Sequence, residues 1–359
     1  MILEWIFSAF VGIIIGAIFQ DSFASLFNTI KSFIKSFFCR FTKGDLCKAA
    51  VFNYGKRSTS VIIMDGNGKE AYEADNIKAI IYDQIYSESD YRTELEYFRK
   101  ITDERLADRK AAGLSIPWNG KTLSLLEYRI ERSASKGKMI LDLSLALNEY
   151  YNTYSVITNL DQKCPETNRK LNQYIEDYDF TEPVGQYGLP NSVGICLQVI
   201  TKDYKTIIAR RSLVSGFRPE KYDASIVEGL NESDIVNGNI DFYSVAKRSV
   251  REEICDLEDS EIRTHLLGFL FDKHFNQWNV VGVVELTITH DEVVRRRNTG
   301  VSGRWELKEL NFLTLSIKEV ISFLSTHEIW DTGRAVVYFA LVYKFHDRKI
   351  INKMIEKYQ

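Results

Sequence analysis

The sequence predicts an α+β fold: an N-terminal transmembrane helix, an α+β middle region and a C-terminal domain in which strands and helices are interleaved. Three observations predict it. An apolar run occupies Ile2 to Phe19; strand-like alternation and helical spacing interleave from Ser58 onward; and the order between Ser192 and Ile288 is strand, strand, loop, helix, strand, strand. The 359 residues, 45% hydrophobic, suffice for about two domains.

The first element, residues 1–20, reads ILEWIFSAFVGIIIGAIF from Ile2, apolar apart from Glu4 and Ser8. Roughly 18 to 20 such residues cross a bilayer core as a helix. Glu4 precedes the run and Gln20-Asp21 follows it, so the flanks are not those of a cleaved signal peptide. Ser8, Gly12 and Gly16 recur every fourth residue and line one face, which predicts helix association and a homo-oligomer. Residues 21–43 carry Phe23, Leu26, Phe27, Ile30, Phe33, Ile34, Phe37, Phe38 and Phe41 at helical spacing, with Lys31, Lys35, Arg40 and Lys43 as the only charges after Asp21. This is the pattern of a basic amphipathic helix on anionic lipid. By the positive-inside rule it places the remainder in the cytoplasm of a single-pass membrane protein.

The middle region, residues 44–180, alternates in STSVIIMD and in DLSLALNEYYNTYSVITNL, with a charged helical stretch from Tyr91 to Ala112 and turn signals at Asp65–Lys69 and Pro117–Lys121. It shows no repeat, and none of the five His residues, which begin at His265. A packing or oligomerisation layer is the expectation. Cys39, Cys47, Cys164, Cys196 and Cys255 are odd in number and form no CxxC pair, so neither a disulfide framework nor a zinc site is expected. A net charge of −3 argues against long nucleic acid as a partner.

In the last region, residues 181–359, SVGICLQVIT and KTIIARRS read as strands, and a loop ending near Gly229 leads to the helix in VAKRSVREEICDL, Val245 to Leu257. LLGFLFD and NVVGVVELTI then read as strands, and Ser316–Ser325 as a helix. This order of elements resembles the Nudix fold, which implies a C-terminal α/β/α sandwich around a mixed sheet, and the helix resembles the Nudix box: Arg248 takes its Arg, Val250 its aliphatic position, and Glu252 and Glu253 its paired acids. It also departs from the box. Ser249 replaces a glutamate, Cys255 and Asp256 replace the closing Gly and aliphatic residue, and SDIVNGNI lengthens the loop so that only Asp241 lies near the place of the upstream glutamate. Nudix hydrolysis needs several carboxylates holding Mg²⁺ against a diphosphate. No catalytic residue is therefore assigned, Glu252 and Glu253 are the metal candidates, and no cofactor is expected outside the hydrolase reading. A plain helix is the competing reading, with Arg248 and Glu252 as an i,i+4 pair and Phe242, Ala246, Val250, Ile254 and Leu257 as its core face.

A membrane anchor joined to a degenerate Nudix-like domain resembles the effectors of bacterial CBASS antiphage systems with a SMODS-associated Nudix domain. The resemblance implies a receptor for a cyclic oligonucleotide made by a CD-NTase-type nucleotidyltransferase, held at the inner membrane, with the membrane segment as the killing device. Such a ligand calls for cationic donors and stacking faces. Arg210, Arg211, Phe217, Arg218, His274, Asn276 and Trp278 are the candidates beside the expected cleft. Arg295–Asn298 reads most simply as an exposed basic loop, with a phosphate clamp as the alternative. The alternative is a membrane-tethered, Mg²⁺-dependent nucleoside-diphosphate hydrolase using Glu252, Glu253 and Asp241.

Overall fold

A computed structural model describes residues 50–82, 92–114, 116–132, 138–176, 178, 180, 189–213, 215, 217–301 and 307–359. The predicted transmembrane and amphipathic helices, with Ser8, Gly12 and Gly16, lie outside these residues. Among the described residues no helix is long and apolar enough to cross a membrane.

The fold is mixed α+β with two mixed sheets. Its strands are β1 (Ala50–Tyr54), β2 (Arg57–Gly66), β3 (Ile77–Tyr82), β4 (Lys121–Arg132), β5 (Met139–Glu149), β6 (Ser192–Ile200), β7 (Lys205–Arg211), β8 (Tyr222–Asp223), β9 (Ile226–Gly229), β10 (Ile235–Val236), β11 (Asn239–Ile240), β12 (Ile262–Asp272), β13 (Gln277–Leu286) and β14 (Leu307–Thr314). Its helices are α1 (Arg92–Ala111), α2 (Tyr150–Ile157), α3 (Leu171–Glu176), α4 (Phe242–Glu253), α5 (His290–Thr299), α6 (Ile317–Thr326), α7 (Asp331–Phe345) and α8 (Arg348–Tyr358).

The larger sheet runs β1–β2–β12–β13–β6–β7–β14, with β8 on β7 and β9 on β6; β13 and β6 are parallel. Its central strands are apolar at nearly every position because both faces are covered. Along β6, Val193, Ile195, Leu197 and Val199 enter one core while Cys196 and Ile200 enter the other. The second core is closed by Val320, Ile321 and Leu324 of α6, by α7, and by Ile351 and Ile355 of α8. The first is shared with α4 and with the smaller sheet, ordered β10–β11–β3–β5–β4, through Leu123, Leu125, Leu141, Leu143 and Leu145.

Lys48 to Gln359 form one compact unit. Residue 180 lies within it, and β2, from the expected middle region, pairs antiparallel with β12. Two local readings change. YYNTYSVI is α2 rather than a continuation of β5, with four consecutive residues, Thr153, Tyr154, Ser155 and Val156, buried where alternation expects every second one. Arg295–Asn298 lies inside α5, whose N-cap Thr289 accepts from the Glu292 N–H at 3.5 Å.

The lengthened loop before α4 is also ordered. Asn237 and Gly238, both at positive φ (51° and 72°), turn a two-residue hairpin between β10 and β11. That hairpin extends the smaller sheet, where the Ile81 N–H donates to the Gly238 carbonyl at 3.0 Å.

Candidate functional site

Asp241 starts α4, accepting from the Tyr243 N–H at 2.9 Å and the Ser244 hydroxyl at 2.6 Å. It is an N-cap, and twelve residues of helix put it roughly 18 Å from Glu253. The predicted core face holds: Phe242, Ala246, Val250, Ile254 and Leu257 are all buried. Ser249 is fully buried as well, its hydroxyl donating to the Val245 carbonyl one turn back at 2.9 Å.

Arg248 gathers the acids instead. Its guanidinium reaches Asp234 Oδ1 at 2.8 Å, Glu252 Oε2 at 2.7 Å and Glu228 Oε1 at 3.5 Å. Burial works against the charge on Arg248, but Asp234, Glu228 and Glu252 outweigh it and hold its pKa above the usual arginine range. Asp234 and Glu228, rather than Asp241, are thus the upstream acids that meet Arg248. Glu252 is 40% exposed, whereas Glu253 is buried beside Arg297, which donates to the Glu253 and Ile254 carbonyls and covers the end of α4. Among the described residues no three His, Cys, Asp or Glu side chains are placed to hold a metal ion.

The seven ligand candidates separate. Trp278 is fully buried, stacked on Phe271 with ring centroids 4.2 Å apart, and a buried ring presents no face to a base. Asn276, also fully buried, sits at φ 46° and donates to the Pro190 carbonyl at 3.1 Å. Arg218 lies over the adjoining rings of Phe275 and Trp330, 4.0 and 3.6 Å from their centroids, and reaches Asp223 Oδ2 at 3.0 Å. Burial lowers its pKa to about 10 despite the two acids beside it, Asp223 and Asp272. His274 borders a cavity of about 210 Å³ with Arg57, Ser60, Lys221 and Trp330. Phe217 joins an aromatic row with Tyr150, Tyr154 and Phe275.

Arg210 and Arg211 adjoin a larger cleft of about 490 Å³, between the end of β7, the end of α5 and the start of β14. Their ladder partners Glu309 and Leu307 line it, together with Ser212, Leu213, Glu220, Val294, Arg297, Asn298, Lys308, Leu310 and Phe312. Arg211 is held by the Ser215 hydroxyl at 2.9 Å and the Phe217 carbonyl at 3.0 Å. Glu220 receives Lys308 at 2.9 Å and Arg210 at 3.6 Å, and those cations, Lys308 foremost, hold its carboxyl below the usual range. Leu213 and Val294 are exposed in the same cleft, so it offers both apolar walls and cations. Sequence reasoning missed Lys308 as a cleft residue; Arg297 falls in the Arg295–Asn298 run, for which a phosphate clamp is the alternative to an exposed loop.

No protein-family model matches the chain, and no curated protein matches it. Among solved structures it is similar to DR0079 from Deinococcus radiodurans, with 14% sequence identity, a TM-score of 0.29, and coverage of 41% of this chain and 81% of that one. That likeness is too slight to carry an argument about fold or function.

Proposed function

We propose that the protein is a CBASS-type antiphage effector whose Nudix-like unit binds a cyclic oligonucleotide made by a CD-NTase-type nucleotidyltransferase. Binding drives homo-oligomerisation through the N-terminal segment, with Ser8, Gly12 and Gly16 at the helix contact, and disrupts the inner membrane. The observation that carries the ligand half of this reading is the cleft in which Glu220 occupies an anion's place between Lys308 and Arg210, with Arg297 and Arg211 beside it. A phosphate entering there exchanges one anion for another on cations already gathered, and apolar Leu213, Val294 and Phe312 offer contact to a base. Arg248, Asp234 and Glu252 meanwhile serve as the framework that fixes α4.

Calorimetry of the Lys48–Gln359 unit against cyclic di- and trinucleotides tests the reading. Binding that weakens in Lys308→Ala and strengthens in Glu220→Gln supports it; no heat with any member of the panel overturns it. Mg²⁺-dependent release of phosphate or nucleoside monophosphate from nucleoside diphosphates, abolished in Glu253→Gln, would instead establish the hydrolase.

A further inference from the structure

Away from the cleft, one surface loop holds large apolar side chains in water. Leu114, Ile116 and Trp118 are 54%, 52% and 61% exposed, three within five positions. The loop is tightly tied at both ends. At its start Gly113 takes φ 70°, and the Gly113 and Leu114 N–H groups donate to the Lys110 and Arg109 carbonyls at 3.1 and 2.9 Å, the hydrogen-bonded stop that glycine permits at a helix end. At its close the Tyr150 N–H donates to the Gly120 carbonyl at 2.9 Å and the Tyr151 N–H to Asn119 Oδ1 at 3.0 Å, which caps the first turn of α2. The Trp118 ring lies over Gly120, where an added Cβ would come within 1.7 Å of it, and beside Tyr150 at a centroid distance of 6.0 Å. The indole is fixed in place while more than half exposed.

The loop's own charges are basic, with Asp108 just before it and Lys121 paired with Glu232 at 3.4 Å at its close. From Arg109 to Lys121 the sequence RKAAGLSIPWNGK carries three basic residues and no acidic one. The three apolar side chains present roughly 350 Å² at their stated exposures, well short of the roughly 800 Å² per partner of a stable protein–protein interface. A bilayer interface asks for less: a few apolar side chains, an aromatic ring at headgroup depth, and cations facing anionic lipid.

We infer that this loop is a lipid-contact site that dips Leu114, Ile116 and Trp118 into the interface of an anionic bilayer. The inference rests on the membrane half of the proposed function, which brings the unit beside a bilayer. It adds a second contact, one that sets the orientation of the unit on the membrane surface.

The test uses the full chain reconstituted into phosphatidylglycerol–phosphatidylcholine vesicles. An environment-sensitive dye is attached at Ile116→Cys, or for comparison at Ile350→Cys on α8, a site 51% exposed. Both positions are exposed, so neither change disturbs the core, and labelling of the wild-type chain supplies the background. The dye at position 116 is expected to shift to the blue and to be quenched by brominated acyl chains at least about threefold more than the dye at position 350. The difference is expected to vanish in vesicles of phosphatidylcholine alone. Equal quenching at the two positions overturns the inference, yet leaves the membrane reading standing if the chain floats with the vesicles; a chain that does not float overturns both. A blue shift that grows with protein concentration without lipid quenching assigns the loop to a second copy and overturns the lipid assignment.

Discussion

Replacing Arg248 by Met tests whether the box-like helix serves as framework. The guanidinium is 22% exposed and meets the buried Asp234 through two hydrogen bonds, at 2.8 and 3.1 Å. Removing one member of a buried ion pair costs about 3 to 5 kcal/mol, because the other charge is left without its partner. The contact to Glu252 is the exposed kind and adds only about 0.3 to 0.5 kcal/mol. With partial access of water to Arg248, a loss of about 3 kcal/mol follows for Arg248→Met. For a unit of this size that lowers Tm by roughly 5 °C. Urea denaturation of the Lys48–Gln359 unit, followed by far-ultraviolet circular dichroism, measures it. Arg248→Lys keeps the charge but loses the double contact to Asp234, and falls between the two. A Met variant within about 0.5 kcal/mol of wild type would refute the framework role, since that is the scale of ordinary surface substitutions.

Trp278→Ala removes a fully buried ring and is expected to cost about 3 to 5 kcal/mol in the same denaturation experiment. Gly238→Val places a branched side chain at φ 72° in the β10–β11 turn, costing about 1 to 2 kcal/mol; amide exchange at Ile81, which donates to the Gly238 carbonyl, should quicken. Burial pushes the Asp203 carboxyl upward, but hydrogen bonds from Thr201 and from the ring and N–H of His290 prevail and bring its pKa to about 2. The stability this contributes is present above the unfolded value of about 3.9 and is lost as pH falls through about 2, so Asp203→Asn should flatten the acid limb between those values in pH-dependent unfolding. Burial pushes Cys255 up to about 12, against the pull of Arg296 and Arg297, and also raises Cys196 well above the usual thiol range. Iodoacetamide at pH 8 should leave both thiols unmodified until denaturant is added, as peptide mass mapping would show.

Much of the fold was legible because its signals are local. The α4 core face follows from helical spacing, the helix expected at Tyr91–Ala112 appears as Arg92–Ala111, and β6, β7, β12 and β13 announce themselves as apolar runs. The YYNTYSVI stretch misled because alternation and helical burial overlap over eight residues, and only the packing of Thr153 and Val156 decides between them. The arginines of Arg295–Asn298 suggest a solvated loop, whereas Arg296 binds Glu261 and Glu292, and Arg297 caps α4.

The candidate site was less legible, since a cleft is a property of elements distant in sequence. Arg210 and Lys308 are 98 positions apart and meet at Glu220 only because β14 pairs with β7. The same holds for the acids that meet Arg248: spacing along the chain favoured Asp241, but the β10–β11 hairpin leaves Asp241 to cap α4, and Asp234 and Glu228 face the arginine. By itself the sequence determined the apolar N-terminal run, the α+β class and the buried face of α4, because hydrophobic periodicity acts within a few turns of chain. Only the tertiary structure decided which charges meet. An ion pair depends on distances of about 3 Å that no spacing along the chain encodes, and it is burial that leaves Trp278 and Asn276 to packing and keeps Lys308 and Arg297 at the cleft.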